Sequence, residues 1–307
     1  MRADPVAVGL ALGWVADLAL GDPRRGHPVA VFGSWVARVE ARTHRDSRTA
    51  GLLTEVVVLG PVLVLATAAV RLPPPARAGA TAVLTWAALG GTSLGREGLA
   101  VHGLLTSGDL PGARTRVRHL VGRTTDDLSA QEVARAALES VAENSSDAVV
   151  GTLVWGAALG PLGIVLHRCA NTLDAMHGHR TARYARFGWA AARLDDVLGW
   201  VPARTTVLAT AAALPLRSGT VLRTAVRDGR AHPSPNAGPV EAGFAGALGV
   251  RLGGRTVYAS GVEDRVVMGD GPAPTAEDLP RAVALARRVG AITLVAVVAA
   301  RLIARGR

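Results

Sequence analysis

The sequence predicts an all-α protein, a polytopic integral membrane helical bundle whose spans are connected by polar motif-bearing loops and amphipathic helices. Of its 307 residues, 49% are hydrophobic and 19% are charged, whereas an ordinary soluble protein has roughly 25% charged residues. Apolar stretches also recur along the whole chain, at residues 6–20, 52–70, 78–95, 148–166, 197–216 and 289–304. We therefore expect a single membrane-embedded domain covering residues 1–307. Buried core helices of a soluble all-α protein are the alternative.

The first three apolar stretches predict a short helix followed by a helical hairpin. A bilayer-spanning helix needs about 20 mostly apolar residues. Residues 6–20 are fewer and include Asp17, and because they lack a cleavage site of small residues, they indicate a retained helix rather than a signal peptide. Residues 52–70 and 78–95 flank a run of three prolines at 73–75, which predicts two spans joined by a very short turn.

The later apolar stretches contain interruptions. Gly160-Pro161 breaks residues 148–166, and since proline disrupts a helix, we expect two half helices there that are re-entrant or buried in protein. Residues 197–216 carry a proline and Arg204, and should return to the same membrane face or lie along it. An Arg inside an apolar stretch faces a partner unless its long side chain reaches the membrane interface. Arg204 therefore has either a partner or a place near a helix end.

Two polar segments have a predicted secondary structure of their own. Residues 109–147 show apolar residues at helical intervals and predict two amphipathic helices. Residues 255–280, where valines and a tyrosine lie among Gly and Pro, indicate a little extended structure.

The charge pattern excludes several classes of function. All 34 basic residues are Arg, since the chain contains no Lys, and this excludes a Walker A nucleotide site and pyridoxal-phosphate or other Schiff-base chemistry. The net charge of +10 is spread through the loops, and only 4% of residues are aromatic. Such a distribution is typical of membrane proteins that follow the positive-inside rule. Nucleic-acid-binding proteins instead gather their basic residues on one face. Cys169 is the only cysteine, so no internal disulfide forms.

Two polar clusters lie in the first half of the chain. Asp22 belongs to a Gly-Asp-Pro-Arg sequence that is shortly followed by His27-Pro-Val; a simple turn with His27 as a helix cap is the alternative to a functional role. Glu139, Glu143 and Asp147 are spaced four residues apart and are expected on one helical face. Because like charges repel, a divalent metal or a neighbouring Arg should offset them. An acidic face in contact with solvent is the alternative.

Two more polar clusters lie in the second half of the chain. The first covers residues 171–196 and contains Asn171, Asp174, Arg180, Arg193, Asp195 and Asp196. The second, residues 232–238, reads His-Pro-Ser-Pro-Asn-Ala-Gly. Its two prolines fix the backbone around Ser234 and Asn236, as a binding loop requires.

Taken together and in order, these motifs resemble a known family. They are Gly-Asp-Pro with His-Pro-Val, Glu-Asn-Ser-Ser-Asp, Asn-Thr-Leu-Asp-Ala-Met, Phe-Gly-Trp-Ala-Ala-Ala-Arg-Leu-Asp-Asp, Pro-Ala-Arg and His-Pro-Ser-Pro-Asn-Ala-Gly. The series runs from Asp17 to about Tyr258 and is similar to the adenosylcobinamide-phosphate synthase family of cobalamin biosynthesis, known as CobD or CbiB. The departure that we note is Ser145, where the family's pattern leads us to expect Thr.

The resemblance implies an ATP-dependent carbon-nitrogen ligase, an adenosylcobinamide-phosphate synthase. Such an enzyme joins aminopropanol, usually as its phosphate, to the free propionate carboxylate of adenosylcobyric acid, and so forms an amide. The implied cofactors are ATP and Mg²⁺. Because nucleotide and aminopropanol phosphate carry dense negative charge, magnesium and Arg must neutralise it. Arg suits this role, since its planar fork grips phosphate or carboxylate with two hydrogen bonds.

The resemblance also implies roles for the residues that match the motifs. The expected catalytic residues are Asp174, Asn171, Glu143, His27 and His232, with either histidine as general base towards the amine. The expected substrate-binding residues are Arg180, Arg193, Arg204, Asn144, Ser234 and Asn236. The expected metal ligands are Asp22, Asp147, Asp195 and Asp196, with Glu143 and Asp174 in the same pool of carboxylates.

The implied partners are the two small-molecule substrates and the lipid bilayer, without nucleic acid. A homo-oligomer, or association with other enzymes of the cobalamin pathway, stays open. ATP and the corrinoid intermediates are cytoplasmic, so in a multi-pass protein of the cell membrane we expect an active site towards the cytoplasm, formed by the loops at 21–33, 143–147, 171–196 and 232–238. The alternative function is a polytopic carrier or signalling protein related to this family but without ligase activity.

Overall fold

The computed structural model describes residues 4–23, 26–179, 181–258 and 261–306, and helices dominate it. In chain order, the α-helices are α1 (Pro5–Leu20), α2 (Pro28–Thr43), α3 (Arg48–Val70), α4 (Pro74–Leu89), α5 (Gly91–Thr106), α6 (Leu110–Val117), α7 (Ala130–Asn144), α8 (Gly151–Leu159), α9 (Pro161–His177), α10 (Trp189–Ala213), α11 (Ser218–Arg227), α12 (Ala237–Leu248) and α13 (Asp278–Gly306). A π-helix, Ser145–Val150, joins α7 to α8, and short 3₁₀ helices flank α11 at Pro215–Arg217 and Gly229–Ala231. The prediction of a mainly α-helical protein is confirmed for the secondary structure. The two amphipathic helices predicted within 109–147 correspond to α6 and α7.

A two-stranded hairpin provides the extended structure that residues 255–280 predicted. β1 (Leu252–Tyr258) pairs antiparallel with β2 (Gly261–Met268). The register shifts between Leu252 and Gly254, where Gly253 has a φ of +80°; such a bulge favours glycine because side chains disfavour positive φ. Arg135 of α7 fixes this end of the hairpin by donating to the carbonyl oxygens of Gly253 and Arg255.

Local sequence explains where several helices begin. Asp4 caps α1, because its Oδ1 accepts hydrogen bonds from the amides of Val6 and Ala7, both at 2.9 Å. At the start of α7, Ser129 and Glu132 form a reciprocal capping box, in which each side chain accepts from the other residue's amide.

The chain divides into two compact units. Unit 1 consists of residues 1–90, 147–201 and 294–307, and unit 2 of residues 91–146 and 202–293. The single domain expected over 1–307 stays a prediction.

Unit 1 contains α1 to α4, α8 and α9, together with the start of α10 and the end of α13. One of its apolar clusters lies between α2, α3 and α9, and includes Phe32, Val58 and Leu173. Another, between α1, α4, α8 and α9, includes Leu10 and Leu153. The buried face of α9 thereby fixes the polar residues that the same helix carries.

Unit 2 contains α5, α6, α7, α11, α12 and the hairpin, with the end of α10 and the start of α13. The central helix α12 is almost entirely buried and apolar except for Glu241. Gly246 of α12 lies so close to Thr224 of α11 that a larger residue would collide with it. Small residues therefore let these two helices approach closely.

Two helices of the described residues are long and apolar enough to cross a membrane. They are α3, with a mean hydropathy of 2.2, and α13, with 1.9; α10 and the following segment Pro215–Ala231, bent by 112°, make a third if counted as one span. Val56, Val64 and Leu65 of α3 are 61%, 69% and 71% exposed, as expected for side chains that face lipid. The prediction of a membrane protein is thus supported, whereas the number of spans in a polytopic bundle stays a prediction.

Three apolar stretches can be compared with their predicted forms. The span predicted over 78–95 is wrong as a single helix, because Gly90, with a φ of +62°, ends α4 and α5 begins at the next residue. The break predicted in 148–166 is confirmed, since Gly160 separates α8 from α9; its position in the bilayer stays a prediction. In 197–216 the chain continues helically through Pro202 and turns only after Ala213.

Candidate functional site

The structure assigns the predicted site residues to both units. Unit 1 carries Asp22, His27, Asp147, Asn171, Asp174, Arg193, Asp195 and Asp196, and unit 2 carries Glu143, Asn144, Arg204, His232, Ser234 and Asn236. Arg180 lies outside the described residues. Each unit therefore has its own candidate site.

In unit 1, an Arg that sequence reasoning did not select lies among the predicted metal ligands. Arg168, on α9, is half-buried and close enough to Asp147 and Asp22 for both carboxylates to act on its charge. Burial lowers the pKa of Arg168, and the two carboxylates oppose that shift. Its Nη1 donates to Asn171 Oδ1 at 3.3 Å. Arg168 is therefore the neighbouring Arg that offsets Asp147.

Asp174 lies one turn beyond Asn171 on α9. Burial raises the pKa of Asp174, the nearby charge of Asp196 raises it further, and His179 opposes the shift. Asp196 in turn accepts a hydrogen bond from Arg193 Nη1 at 3.0 Å, so two of the predicted residues form an ion pair across one turn of α10. Asp174 thus combines partial burial with a like-charged neighbour, an arrangement typical of functional carboxylates.

The backbone around Asp174 depends on a glycine. A Cβ at Gly178 would collide with the Asp174 carboxylate. Small size at residue 178 therefore leaves space for the carboxylate to lie over the end of α9.

Within the described ranges, no three His, Cys, Asp or Glu side chains stand close enough together to hold a metal ion. The magnesium ligands stay a prediction. Asp22 nevertheless fits a hard cation in its chemistry, because its Oδ1 is buried and has no hydrogen-bond partner among the described residues, and Mg²⁺ prefers such oxygen ligands.

The expectation that Glu139, Glu143 and Asp147 share one α-helical face is wrong. The α-helical repeat ends at Asn144, and Asp147 lies in the π-helix Ser145–Val150. A π-helical turn contains more residues than an α-helical turn, and such turns are frequent at functional sites. Glu139 and Glu143 remain on α7 in unit 2, while Asp147 belongs to unit 1 and acts on Arg168.

Unit 2 contains a cavity of about 210 Å³. It is bounded by the 120–123 loop, α7, the 232–234 loop, α12 and β2. Its charged or titratable lining residues are Arg123, Glu139, Glu143, His232, Glu241 and Arg265. Of these, sequence reasoning had given catalytic roles to Glu143 and His232 and had placed Glu139 on an acidic face.

Both carboxylate oxygens of Glu139 accept hydrogen bonds at one wall of the cavity. Its Oε2 accepts a charge-assisted hydrogen bond from Arg123, and its Oε1 accepts from the amide of Gly253 at 2.8 Å. Arg123 and Glu139 are both buried. Because a buried charge is costly without a partner, this pair stabilises the wall only while both members are present.

Glu241 is the exceptional residue of the cavity. Its side chain is buried, with 1% of the residue exposed, and Oε2 has no hydrogen-bond partner among the described residues. Burial raises the pKa of Glu241, the charges of Glu139 and Glu143 raise it further, and Arg265 and Arg123 oppose the shift. A lone carboxyl in an otherwise apolar helix, Ala237–Leu248, was the signal in the sequence that could have identified it.

The two candidate general bases adopt the same local turn. His27 Nδ1 accepts a hydrogen bond from the amide of Val29 at 3.2 Å, and His232 Nδ1 accepts from the amide of Ser234 at 3.1 Å. A neutral imidazole whose Nδ1 is an acceptor carries its proton on Nε2. In that tautomer Nε2 of each ring is an N–H donor, whereas the opposite tautomer of His232 would donate from Nδ1 to Ser234 O, 3.4 Å away. For His27, the alternative of a helix cap is confirmed, and a role as base stays a prediction for both residues.

The remaining predicted binding residues of unit 2 make local hydrogen bonds. Ser234 Oγ accepts from the amides of Asn236 and Ala237, at 3.2 and 3.1 Å, at the start of α12. Asn144 Nδ2 donates to Ser140 O at 2.9 Å. Their predicted contacts with substrate are not tested by this arrangement.

Arg204 has the protein partner that its apolar surroundings require. Its Nη1 donates to Pro235 O at 2.9 Å and to Asn236 Oδ1 at 3.1 Å. Arg204 on α10 thereby holds the 232–238 loop.

Replacing Arg204 by Leu is expected to loosen this loop and to raise the Michaelis constant for at least one anionic substrate about tenfold, which corresponds to about 1.4 kcal/mol. Lys retains the charge but not the planar fork, so Arg204→Lys should have an intermediate effect. Steady-state kinetics with each substrate varied in turn measure this, with Arg223→Leu, an exposed Arg of α11, as the control. Unchanged constants in Arg204→Leu would exclude a role of this side chain in holding the loop.

Apolar helices of membrane-spanning length, with polar residues buried between helices, define the chain as a helical membrane protein. Comparison with known proteins identifies the particular family: the model of the CobD/Cbib protein family matches residues 10–286, and the chain belongs to that family.

Among the curated relatives, "Cobalamin biosynthesis protein CobD" of Mycobacterium tuberculosis is 48% identical over 289 residues, covering 93% of this chain and 92% of that protein. The protein of the same name from Rhodobacter capsulatus is 43% identical over 302 residues, covering 96% and 95%. That of Pelobacter propionicus is 36% identical over 281 residues, covering 88% and 86%. No solved structure matches the chain.

Proposed function

We propose that the protein is an adenosylcobinamide-phosphate synthase: an ATP-dependent ligase that joins aminopropanol, or its phosphate, to the free propionate carboxylate of adenosylcobyric acid. The observation that carries this proposal is the family match over residues 10–286, with relatives named for cobalamin biosynthesis across nearly their whole length. The polar sites of both units support it, because they bring carboxylate and guanidinium groups together in partly buried positions.

Amide formation from a carboxylate requires activation of that carboxylate. In the proposed reaction, a propionate oxygen attacks the γ-phosphorus of ATP, ADP leaves, and an acyl phosphate forms. The amine nitrogen then attacks the acyl carbon, inorganic phosphate leaves, and the nitrogen loses a proton. Bound Mg²⁺ would supply positive charge to the phosphate oxygens.

The residues of the chain would contribute binding, orientation and charge. Asp22, Asp147, Asp174, Asp195 and Asp196 are the carboxylates proposed for the magnesium-nucleotide site. The positive charge of Arg168 would partly neutralise Asp22 and Asp147, and Arg193 pairs with Asp196. His27 or His232 would act as general base towards the amine.

The test is a ligation assay with the purified protein in detergent. Adenosylcobyric acid, aminopropanol phosphate, ATP and Mg²⁺ should give a corrinoid heavier by the amine less one water, as measured by mass spectrometry, and omission of ATP should abolish the product. A folded protein that yields no such product under any of these conditions would contradict the proposal.

We further propose that the polar segments of both units face the cytoplasm, where ATP is available. Cys169 is buried and would be replaced by Ala, and single cysteines placed at the exposed residues Ala30, Ala182 and Ala231. An impermeant thiol reagent should label all three in inverted vesicles and none in intact cells. Labelling of any of these positions from outside the cell would contradict this orientation.

A further inference from the structure

We propose that the cavity of unit 2 is the binding site for the amine substrate, a small molecule with one primary ammonium group and one anionic group. In this site, Glu241 and Glu143 would accept hydrogen bonds from the ammonium, and Arg265 and Arg123 would donate to the anionic end. The inference rests on the proposed ligase function for the identity of the ligand. It assigns a site to three residues, Glu241, Arg123 and Arg265, that lie outside the recognised motifs.

The first argument is the incomplete hydrogen bonding of Glu241. Buried polar atoms in proteins nearly always have a partner, and an exception calls for an explanation such as an absent ligand. Glu241 Oε2 is such an exception among the described residues, and Glu241 lines the cavity. Leaving an acceptor unsatisfied there lowers the stability of the folded protein. A donor that enters the cavity would remove that loss of stability, and an ammonium group has three N–H donors.

The second argument is the mixture of charges. Glu139, Glu143 and Glu241 provide carboxyl groups, and Arg123 and Arg265 provide guanidinium groups, around one small volume. Glu139 is paired with Arg123 and with the Gly253 amide. A lining with both signs of charge is complementary to a ligand that also carries both signs. A nucleotide polyphosphate would be repelled by the three carboxyl groups, and a bare cation would be repelled by the two guanidinium groups.

The third argument is size. An engineered cavity of about 150 Å³ holds benzene, and sites for drug-sized ligands have about 300–1,000 Å³. The cavity of about 210 Å³ lies between them and suits a ligand of about nine non-hydrogen atoms such as aminopropanol phosphate. ATP and the corrinoid are several times larger than this ligand. Of the three proposed substrates, the amine is therefore the one whose size matches this cavity.

The experiment compares two cavity variants with a matched control. Glu241→Gln keeps the shape of the side chain and replaces the carboxyl group with an amide, and Arg265→Gln removes one guanidinium. Glu277→Gln changes an exposed residue of the same unit that does not line the cavity. Binding of aminopropanol phosphate and of unphosphorylated aminopropanol to the full-length protein in detergent is measured by isothermal titration calorimetry without ATP or corrinoid. Circular dichroism and the unfolding temperature of each variant confirm that it is folded.

We expect Glu241→Gln to weaken binding of both amines at least tenfold. Arg265→Gln should weaken binding of the phosphate form at least tenfold, and that of aminopropanol less than twofold. Glu277→Gln should match the wild type. In the ligation assay, Glu241→Gln should raise the Michaelis constant for the amine by a similar factor and leave those for ATP and adenosylcobyric acid within twofold.

Several outcomes would overturn the inference. One is unchanged amine affinity in folded Glu241→Gln and Arg265→Gln. Another is competition by Mg²⁺ alone for the same site, with no difference between the two amines. If the wild type ligates and both variants keep the wild-type Michaelis constants and turnover, the proposed amine site is wrong. The proposed ligase function is then still supported. Conversely, amine binding that depends on Glu241 in a protein without ligase activity contradicts the proposed function and supports the site. If Glu241→Gln fails to fold, Arg265→Gln alone decides, through its selectivity between the two amines.

Discussion

Asp174→Asn is expected to lower the rate of ligation about 100-fold or more, equivalent to about 2.7 kcal/mol of lost transition-state stabilisation. Asn has the size of Asp but no charge, so a carboxylate that binds magnesium or orients a substrate loses its function. Turnover at saturating Mg²⁺ measures the loss. Asp46→Asn, at an exposed position of the same unit, is the control and should retain wild-type turnover.

The thermal stability of Asp174→Asn should change in the opposite direction. Burial and Asp196 raise the pKa of Asp174 in the folded protein, so ionisation of this group opposes folding. The wild type should lose stability as the pH rises from the ordinary Asp pKa through the raised one, and the Asn variant should lack this loss. At neutral pH without metal, the variant should therefore unfold at the same or a higher temperature. Near wild-type turnover in the variant would exclude a catalytic role of Asp174.

Arg168→Gln is the second change with a large expected effect. It removes the guanidinium whose charge interacts with Asp22 and Asp147, and both carboxylates then lose this favourable interaction in a half-buried position. Interaction free energies within one network of charges are about 0.5–3 kcal/mol, and we expect a loss in the upper part of this range because these groups are half-buried. The unfolding temperature in detergent should fall markedly, and ligation should fall at least 100-fold.

A double-mutant cycle separates this electrostatic effect from a loss of packing. Asp147→Asn in the background of Arg168→Gln should restore part of the lost stability, because it removes the charge left without its partner. The same substitution in the wild type should destabilise the protein or leave its stability unchanged. Additive effects of the two substitutions would contradict a direct interaction between Arg168 and Asp147.

The fold could be predicted from the sequence where one local signal dominates. Gly160-Pro161 predicted the break between α8 and α9, and the Val- and Gly-rich segment after residue 255 predicted extended structure. Gly90 was missed because an apolar run continues through it, and a single glycine in such a run is compatible with either a continuous helix or a C-terminal cap. The contacts that each helix makes within its own unit, α4 with α1 and α9, and α5 with α6 and α7, decide between them.

The site could be predicted in part, for a different reason. Motif residues such as Asp174 and Asp196 proved to be near each other because they lie on consecutive helices of one unit. Glu241, Arg265 and Arg168 were missed, since each is a single charged residue in a segment without a recognisable motif. These residues lie near other charges because segments that are distant in the chain are in contact. The hydrophobic periodicity of the sequence does not predict such contacts.

The π-helix Ser145–Val150 has a consequence for how this protein can change in length. An α-helix turns by about 100° per residue, so deleting one residue between Asp147 and Gly151 would restore the ordinary repeat and rotate Asp147 by that angle relative to α8. Asp147 would then point away from Arg168, although every motif residue would still be present. Insertions and deletions between Glu143 and Gly151 should therefore be far less tolerated than substitutions at Ser145 or Ser146, and the spacing of this motif is itself a functional property.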